Sequence, residues 1–388
     1  MHSLVVGTYP PRLCGIATFT ADVVDAIAAI PEVKRPVVAA VMTRDEPRRP
    51  HAASSDIGAV IEQESWASYR AAALVANTFD VVLIEHEFGI FGGPDGEMLL
   101  GFVDALDVPF VVSLHTVLPE PTANQKRVLR RVCERAAAVM VFTATARRIL
   151  LTQGVVRAGK IRIVPHGAPS ELFERRDADD AKRIFGAAGR PVVSTFGLLS
   201  SGKGIEVALR AIDSVREVVP DVVYIVAGQT HPGVLRAEGE RYRSELMRLV
   251  DALDLAENVR FVDRFMDLDD LAELLAATDV FCTPYRNGDQ IVSGALTFAI
   301  AAGRPTVSTP YRYAQDLLGE GAGRLVPFDS PGPLADEIVE LLTCPEALAE
   351  AQRAAERTGA SLSWPEVGRH TADVLWEAMQ SHRLSITA

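Results

Sequence analysis

Short, uninterrupted apolar runs alternate with stretches of helical spacing along almost the whole chain. SLVVGTYP near the start ends in turn residues, and Ile16, Phe19, Val23 and Ile27 then recur every three or four positions, the stripe of an amphipathic helix. DVVLIEHE and PFVVSLHT follow, with the helical segment GEMLLGFVDAL between them, and then AAVMVFTAT and KIRIVPHG. Runs that are apolar throughout, rather than alternating, belong to strands buried on both faces. The pattern therefore predicts an α/β fold, a parallel sheet flanked by helices.

From Arg175 to Arg190 the pattern breaks into RRDADDAKRIFGAAGR, charged and rich in Ala and Gly, which reads as a linker. The alternation restarts with PVVSTFG, VVYIVAG, VRFVDRF, DVFCTPY, RPTVSTP and GRLVPF. Within it, DLDDLAELLAATD has an Asp at its cap and Leu268, Leu271, Leu274 and Leu275 at helical spacing. Three parts are expected: a Rossmann-like domain over residues 1–170, a second over 171–360, and a C-terminal helix over 361–388. Two such domains place a ligand in the cleft between them, at the carboxyl ends of the strands.

Composition narrows the function. With 388 residues the chain is long enough for two domains. At 48% hydrophobic and 23% charged it reads as a soluble globular protein. The net charge of −12 disfavours nucleic acid, whose phosphates need a basic field, but leaves room for a small anion. The basic cluster RVLRRVCERAA is the nearest approach to a membrane-surface patch, and a solvated helix face accounts for it. Cys14, Cys133, Cys282 and Cys344 form no CxxC pair, so neither a disulfide framework nor a zinc site is expected. With no export leader at the N-terminus and no run long enough to span a bilayer, the chain reads as cytoplasmic.

Candidate chemistry gathers where strands end. FGLLSSGKGIEVALRAI follows a strand and opens a helix. Gly197, Gly202 and Gly204 let backbone approach an anion, and Lys203 adds a point charge. The segment is neither a P-loop nor GxGxxG, and an ordinary Gly-rich turn with a solvent-facing lysine is the plainer alternative. PPRLCGIATF plays the equivalent part earlier, with the amides of Gly15 and Ile16 at a helix start. His86 and His115 end strands, whereas His166 in a His-Gly turn needs no ligand. Glu85 and Glu87 flank His86; a catalytic base is one reading of them, and a solvated loop acid is the plainer one. QIVSG opens the helix that ends AIAAGRP, yet no acid lies between Gln290 and Pro305.

The order of these motifs resembles the retaining glycosyltransferases of family 4 (glycosyl transferases group 1), with a GT-B fold of two Rossmann-like domains facing across a cleft. The resemblance runs through the first Gly loop, LHT, FGLLSSGKG, AIAAGRPTVSTP and GRLVPF. It implies a nucleotide diphosphate sugar as donor substrate, a hydroxyl acceptor, and no separate cofactor or metal. It implies catalytic roles for His115, Lys203 and Gln290, and an acceptor side at His86 and Glu87. On the donor side it implies Gly15, Ile16, Gly197, Gly202 and Gly204, together with His231 and Arg264. The backbone of Ile291, Val292, Ser293 and Gly294 completes that set.

Four positions depart from the family pattern. Cys14 precedes Gly15 where a second glycine is usual, and Leu198 stands in place of an arginine. The paired acids fall on Gln290 and Phe298, aligned backwards from Gly303 and Pro305. The first acid lies near the transferred sugar in the family, and the second holds the ribose. The loop GQTHPGVLRAEGERYR offers His231, Arg236 and Arg243 as compensation. Two alternatives stay open: a nucleotide-sugar-binding or regulatory protein with impaired catalysis, and, ranked last, a nicotinamide-dependent oxidoreductase, which lacks its GxGxxG and ribose acid.

Overall fold

A computed structural model describes residues 1–12, 14–43, 56–319 and 321–387, with side chains to residue 384. The chain divides into two compact units, Met1–Gly167 with Trp364–Ala388, and Ala168–Ser363.

The first unit runs β1 (Ser3–Gly7), α1 (Gly15–Ala28), β2 (Val37–Met42), β3 (Ile57–Glu62), α2 (Trp66–Ala76), β4 (Val81–His86) and α3 (Leu99–Val103). It continues with β5 (Phe110–Leu114), α4 (Ala123–Arg135), β6 (Ala138–Val141), α5 (Ala144–Gln153) and β7 (Ile161–Ile163). Its seven strands are all parallel, in the order β3-β2-β1-β4-β5-β6-β7. Every residue of β1, β4 and β5 is buried, as their unbroken apolar runs require. The edge strand β3 instead alternates in exposure.

The second unit begins with α6 (Ala178–Ile184), β8 (Val192–Phe196), α7 (Ile205–Val218), β9 (Val223–Ala227), α8 (Pro232–Glu238), α9 (Arg241–Ala252) and β10 (Val259–Val262). Then come α10 (Leu268–Ala277), β11 (Val280–Thr283), α11 (Gly294–Ala301), β12 (Thr306–Ser308), α12 (Arg312–Leu318) and β13 (Gly323–Leu325). α13 (Pro331–Thr343) and α14 (Pro345–Gly359) close it. Its six parallel strands are ordered β10-β9-β8-β11-β12-β13. Successive residues of β9 serve opposite faces: Tyr224 and Val226 join one apolar cluster, Val223, Ile225 and Ala227 the other. The last helix, α15 (Trp364–Thr387), belongs to the first unit and packs on α1, β4 and β5.

Both sheets reverse their order at one point, between β1 and β4 and between β8 and β11. In doubly wound sheets that reversal opens a crevice at the carboxyl ends of the strands, where ligands bind. No helix among the described residues is long and apolar enough to cross a membrane.

The stretch read as a linker is part of the second unit. Asp177 caps α6 by accepting from the Asp180 amide. Ala181 is fully buried, and Arg176 and Lys182 pair with Glu273 and Asp279, far along the chain. Those partners are invisible to a local reading of charge. GQTHPGVLRAEGERYR, read as a loop, is mostly helical, forming α8 and the start of α9.

Candidate active site

At the reversal in the second sheet, β8 ends at Phe196 and passes through Gly197, whose φ is +131°. The Gly197 amide donates to the Ala227 carbonyl at 3.0 Å and the Leu199 amide to the Gln229 carbonyl at 2.8 Å, so this loop lies along the one after β9. Gly204 starts α7 in the left-handed region, φ +62°. A Cβ there would sit 2.0 Å from the Pro284 carbonyl oxygen, which only glycine avoids. Gly202 is open, its nearest neighbour for a Cβ being Ser200 Oγ at 3.8 Å. The Gly202 carbonyl accepts from the Arg286 amide at 3.0 Å, tying the β8 loop to the β11 loop across the reversal.

Lys203 sits on that junction, half-buried, with Nζ 4.0 Å from the centre of the Tyr285 ring. No carboxylate among the described residues pairs with it. Crowding around the ammonium pushes its pKa down to about 8. The nearby acid Glu206 is already engaged by Arg286 and by the Tyr242 hydroxyl. The result is a cation held on an aromatic face, beside open glycine backbone, with no counter-ion among the described residues.

After Tyr285 the chain passes Gln290 and enters α11. Gln290 is half-buried and donates from Nε2 to the Val292 carbonyl at 2.8 Å. Its own carbonyl accepts from the Tyr313 amide at 3.1 Å. Ser293 caps α11, accepting from the Leu296 amide at 3.3 Å, and no acid occupies the first turn. Ile291 is buried and Val292 and Gly294 are half-buried, so this turn presents its backbone rather than charged side chains.

The segment after β12 braces the turn. Tyr311 stacks on Tyr285 at 5.1 Å, the Thr309 hydroxyl donates to the Tyr285 carbonyl at 2.5 Å, and the Tyr313 hydroxyl lies 2.6 Å from Thr297 Oγ1. These tyrosines escape a sequence reading because their contacts depend on β11 pairing with β12. The repeated TPY of DVFCTPY and VSTPY is the only local trace of them.

Phe298, at the position of the expected ribose acid, packs against the apolar cluster and stacks on Phe196 at 6.4 Å. Phe298→Glu is therefore expected to destabilise the protein by about 1–3 kcal/mol and to leave nucleotide affinity unimproved. Thermal unfolding and calorimetry check the two halves of that expectation.

Two of the expected cations are already committed. Arg264 is gripped by Asp270, and buried Arg243 donates to the Gly228 carbonyl at 2.7 Å and pairs with Asp263 at 2.8 Å. Arg243 thus braces the β9 loop rather than offering a free charge. His231 is exposed and caps α8, its Nδ1 accepting from the Gly233 amide at 3.0 Å, while its own amide donates to Leu199.

In the first unit, Gly15 opens α1. Its Cβ position has nothing within 4 Å, Ile16 follows half-buried, and no acid lies in the first turn. His115, one residue past β5, bonds through Nε2 to Glu85 Oε2 at 2.8 Å. Glu85 is not the solvated loop acid expected: it is 0% exposed within β4. An acid inside an otherwise apolar run was the local sign of it. His86 is also fully buried, so its ring faces the interior and not an acceptor. Burial drives its pKa down to about 4. Glu87 is half-buried and accepts from the Thr116 hydroxyl. His166 is likewise pushed to about 4 by burial, packing against Phe19 and donating from Nδ1 to the Gly167 carbonyl.

Residues 31–172 match the family model described as Glycosyltransferase Family 4, and residues 189–344 match that of Glycosyl transferases group 1. A D-inositol 3-phosphate glycosyltransferase of Streptomyces avermitilis is 27% identical over 297 residues, 71% of this chain and 61% of that protein. A phosphatidyl-myo-inositol mannosyltransferase of Mycolicibacterium smegmatis is 26% identical over 248 residues, 58% of this chain. The chain spans only 61% and 60% of the lengths of these two relatives. Among solved structures, Anabaena HepE in complex with UDP superposes with a TM-score of 0.76 at 18% identity, covering 97% of this chain and all of that one. Sucrose-phosphate synthase of Thermosynechococcus elongatus gives 0.78 at 16%, covering 98% and 100%. These two show the fold. With both units matched in turn along its length, the chain belongs to the family 4 glycosyltransferases and has their GT-B fold.

Proposed function

We propose that the chain is a retaining hexosyltransferase that moves a sugar from a nucleoside diphosphate to a hydroxyl acceptor. The ammonium of Lys203, unpaired among the described residues and set among open glycine backbone at the second sheet's reversal, carries the reading. A leaving diphosphate gains negative charge as the bond to the anomeric carbon breaks. The groups that lower that barrier are cations and N–H donors. Lys203, the Gly202–Gly204 backbone and the amides at the start of α11 are groups of that kind, and the task asks for no carboxylate.

In the proposed step the acceptor oxygen bonds to the anomeric carbon on the face the diphosphate leaves. The acceptor's proton passes to a phosphate oxygen, and the nucleoside diphosphate departs. Gln290 is proposed to bond the sugar's hydroxyls, since an amide both donates and accepts, and His115 to hydrogen-bond a substrate hydroxyl. No metal is required in this scheme, so chelation by EDTA is expected to leave the rate unchanged. One relative is named as a mannosyltransferase, and a structural neighbour was crystallised with UDP-glucose. Mannose and glucose donors are therefore the first to test.

A specific pH dependence follows from Lys203. In the free protein its ammonium loses its proton near pH 8, well below an ordinary lysine, and only the charged form attracts a diphosphate. Affinity for a nucleoside diphosphate should be level below pH 8 and fall as pH rises through it. Calorimetric titration from about pH 7 to 10.5, which spans the depressed and the ordinary lysine values, checks this, and a flat profile would remove Lys203 from the contact.

Leu198 and Phe298 favour a second reading, a protein that binds nucleotide sugars without turning them over. Donor binding with neither hydrolysis nor transfer to a broad pool of hydroxyl acceptors would select it.

A further inference from the structure

Glu85 is a fully buried carboxylate on β4, in the middle of the parallel sheet of the first unit. Its Oε2 meets His115 Nε2 at 2.8 Å, and its Oε1 is buried with no hydrogen-bond partner among the described residues. Room is made for it: a Cβ on Gly7 of the neighbouring strand would lie 3.2 Å from Glu85 Cβ and 3.0 Å from Thr20 Oγ1. A carboxylate in such a place costs more to desolvate than one neutral bond returns, and a packed apolar side chain would serve stability better. Stability therefore does not account for it, and its single partner does.

That partner is held on every side. The His115 amide donates to the His86 carbonyl at 2.9 Å, and the ring stands edge-on to Phe19 at 4.7 Å and near Phe142 at 5.1 Å. The side chain keeps a 6% exposed edge. With Nε2 committed to a carboxylate, which only accepts, the proton of neutral His115 is fixed on Nε2 and Nδ1 is left as an acceptor. Without Glu85, both tautomers of the ring are open.

We propose that Glu85 is a positioning residue, which locks His115 in the tautomer with Nε2–H and a bare Nδ1, so that the ring accepts a hydrogen bond from a substrate hydroxyl. The proposal rests on the transferase reading for its effect on rate, but the tautomer itself does not depend on that reading.

Long-range proton–nitrogen NMR of the full chain, labelled with nitrogen-15 in its histidines, reads the tautomer near neutral pH. The signals of His115 are assigned by their loss in His115→Ala. In the unmodified protein the expected pattern is a protonated Nε2 and a bare Nδ1, and a protonated Nδ1 with bare Nε2 would overturn the proposal. Glu85→Gln, of nearly the same shape, is expected to show a mixture of tautomers. It should also lower kcat at least about tenfold, with nucleoside diphosphate affinity unchanged. In a His115→Ala background the same substitution should cost nothing further, because Glu85 acts only through that ring. An unaltered tautomer and kcat in Glu85→Gln, or an additive loss in the double variant, would make Glu85 merely structural. Should Glu85→Gln fail to fold, the unmodified protein's spectrum decides alone. Absence of transfer with every donor would sink the transferase reading and leave the tautomer result standing.

Discussion

Lys203→Ala should lower kcat by about 10²- to 10³-fold, the scale for removing one preformed stabiliser of developing negative charge. The fold should survive intact. The ammonium has no ion pair to lose among the described residues, and the ring of Tyr285 beneath it is already packed on Tyr311. Stability should even favour the variant slightly near neutrality. Because the folded-state pKa is depressed to about 8, the unfolded chain binds the extra proton between that value and the ordinary lysine one. Stability of the unmodified protein therefore rises with pH through this window, and below it the penalty of the buried charge is fully present. A variant with lost turnover and an unchanged or raised melting temperature marks a functional lysine. Lost turnover with a collapsed melting temperature would mark a structural one.

Gly204→Ala should cost about 2–4 kcal/mol of stability and most of the donor affinity. Two independent penalties meet there: φ is +62°, and the new Cβ would lie 2.0 Å from the Pro284 carbonyl oxygen. That oxygen is backbone, so relief requires the β8 and β11 loops to separate, and Lys203 stands at their junction. Gly202→Ala is the control. Its φ is not positive and its Cβ has only a side-chain oxygen at 3.8 Å, so its stability should change little. Any loss of nucleotide affinity in Gly202→Ala reports a ligand that approaches the backbone. Thermal unfolding paired with calorimetry separates the two variants, and equal behaviour in both would contradict the described loop geometry.

The long apolar strands were readable because burial on both faces leaves a continuous run that needs no knowledge of neighbours. β1, β4, β5, β8 and β9 are such strands. β2 and β3 lie toward the sheet edge and were not singled out; β3 alternates in exposure and begins at Ile57 beside a glycine. α6 and the residues just before it read as a linker because charges dominate their composition, although Arg176 and Lys182 are satisfied by residues of and next to α10. At the site, the glycines, Lys203 and Gln290 were visible as residue types that a strand-to-helix turn needs. Glu85 escapes a local reading for a different reason: whether an acid at a strand end is solvated depends on the flanking strands. Gly7 and Ser113, from β1 and β5, lie beside it, and nothing local to DVVLIEHE shows them.

In the proposed site a lysine and backbone amides hold a nucleoside diphosphate. Calorimetric titration of UDP, GDP and ADP into the full chain and into Lys203→Ala, at neutral pH without added metal, tests this most directly. At least one nucleotide should bind the unmodified protein, and that binding should weaken at least about tenfold in the variant, the loss of one charge-assisted contact. Binding of equal strength to both proteins, or to neither, would contradict it.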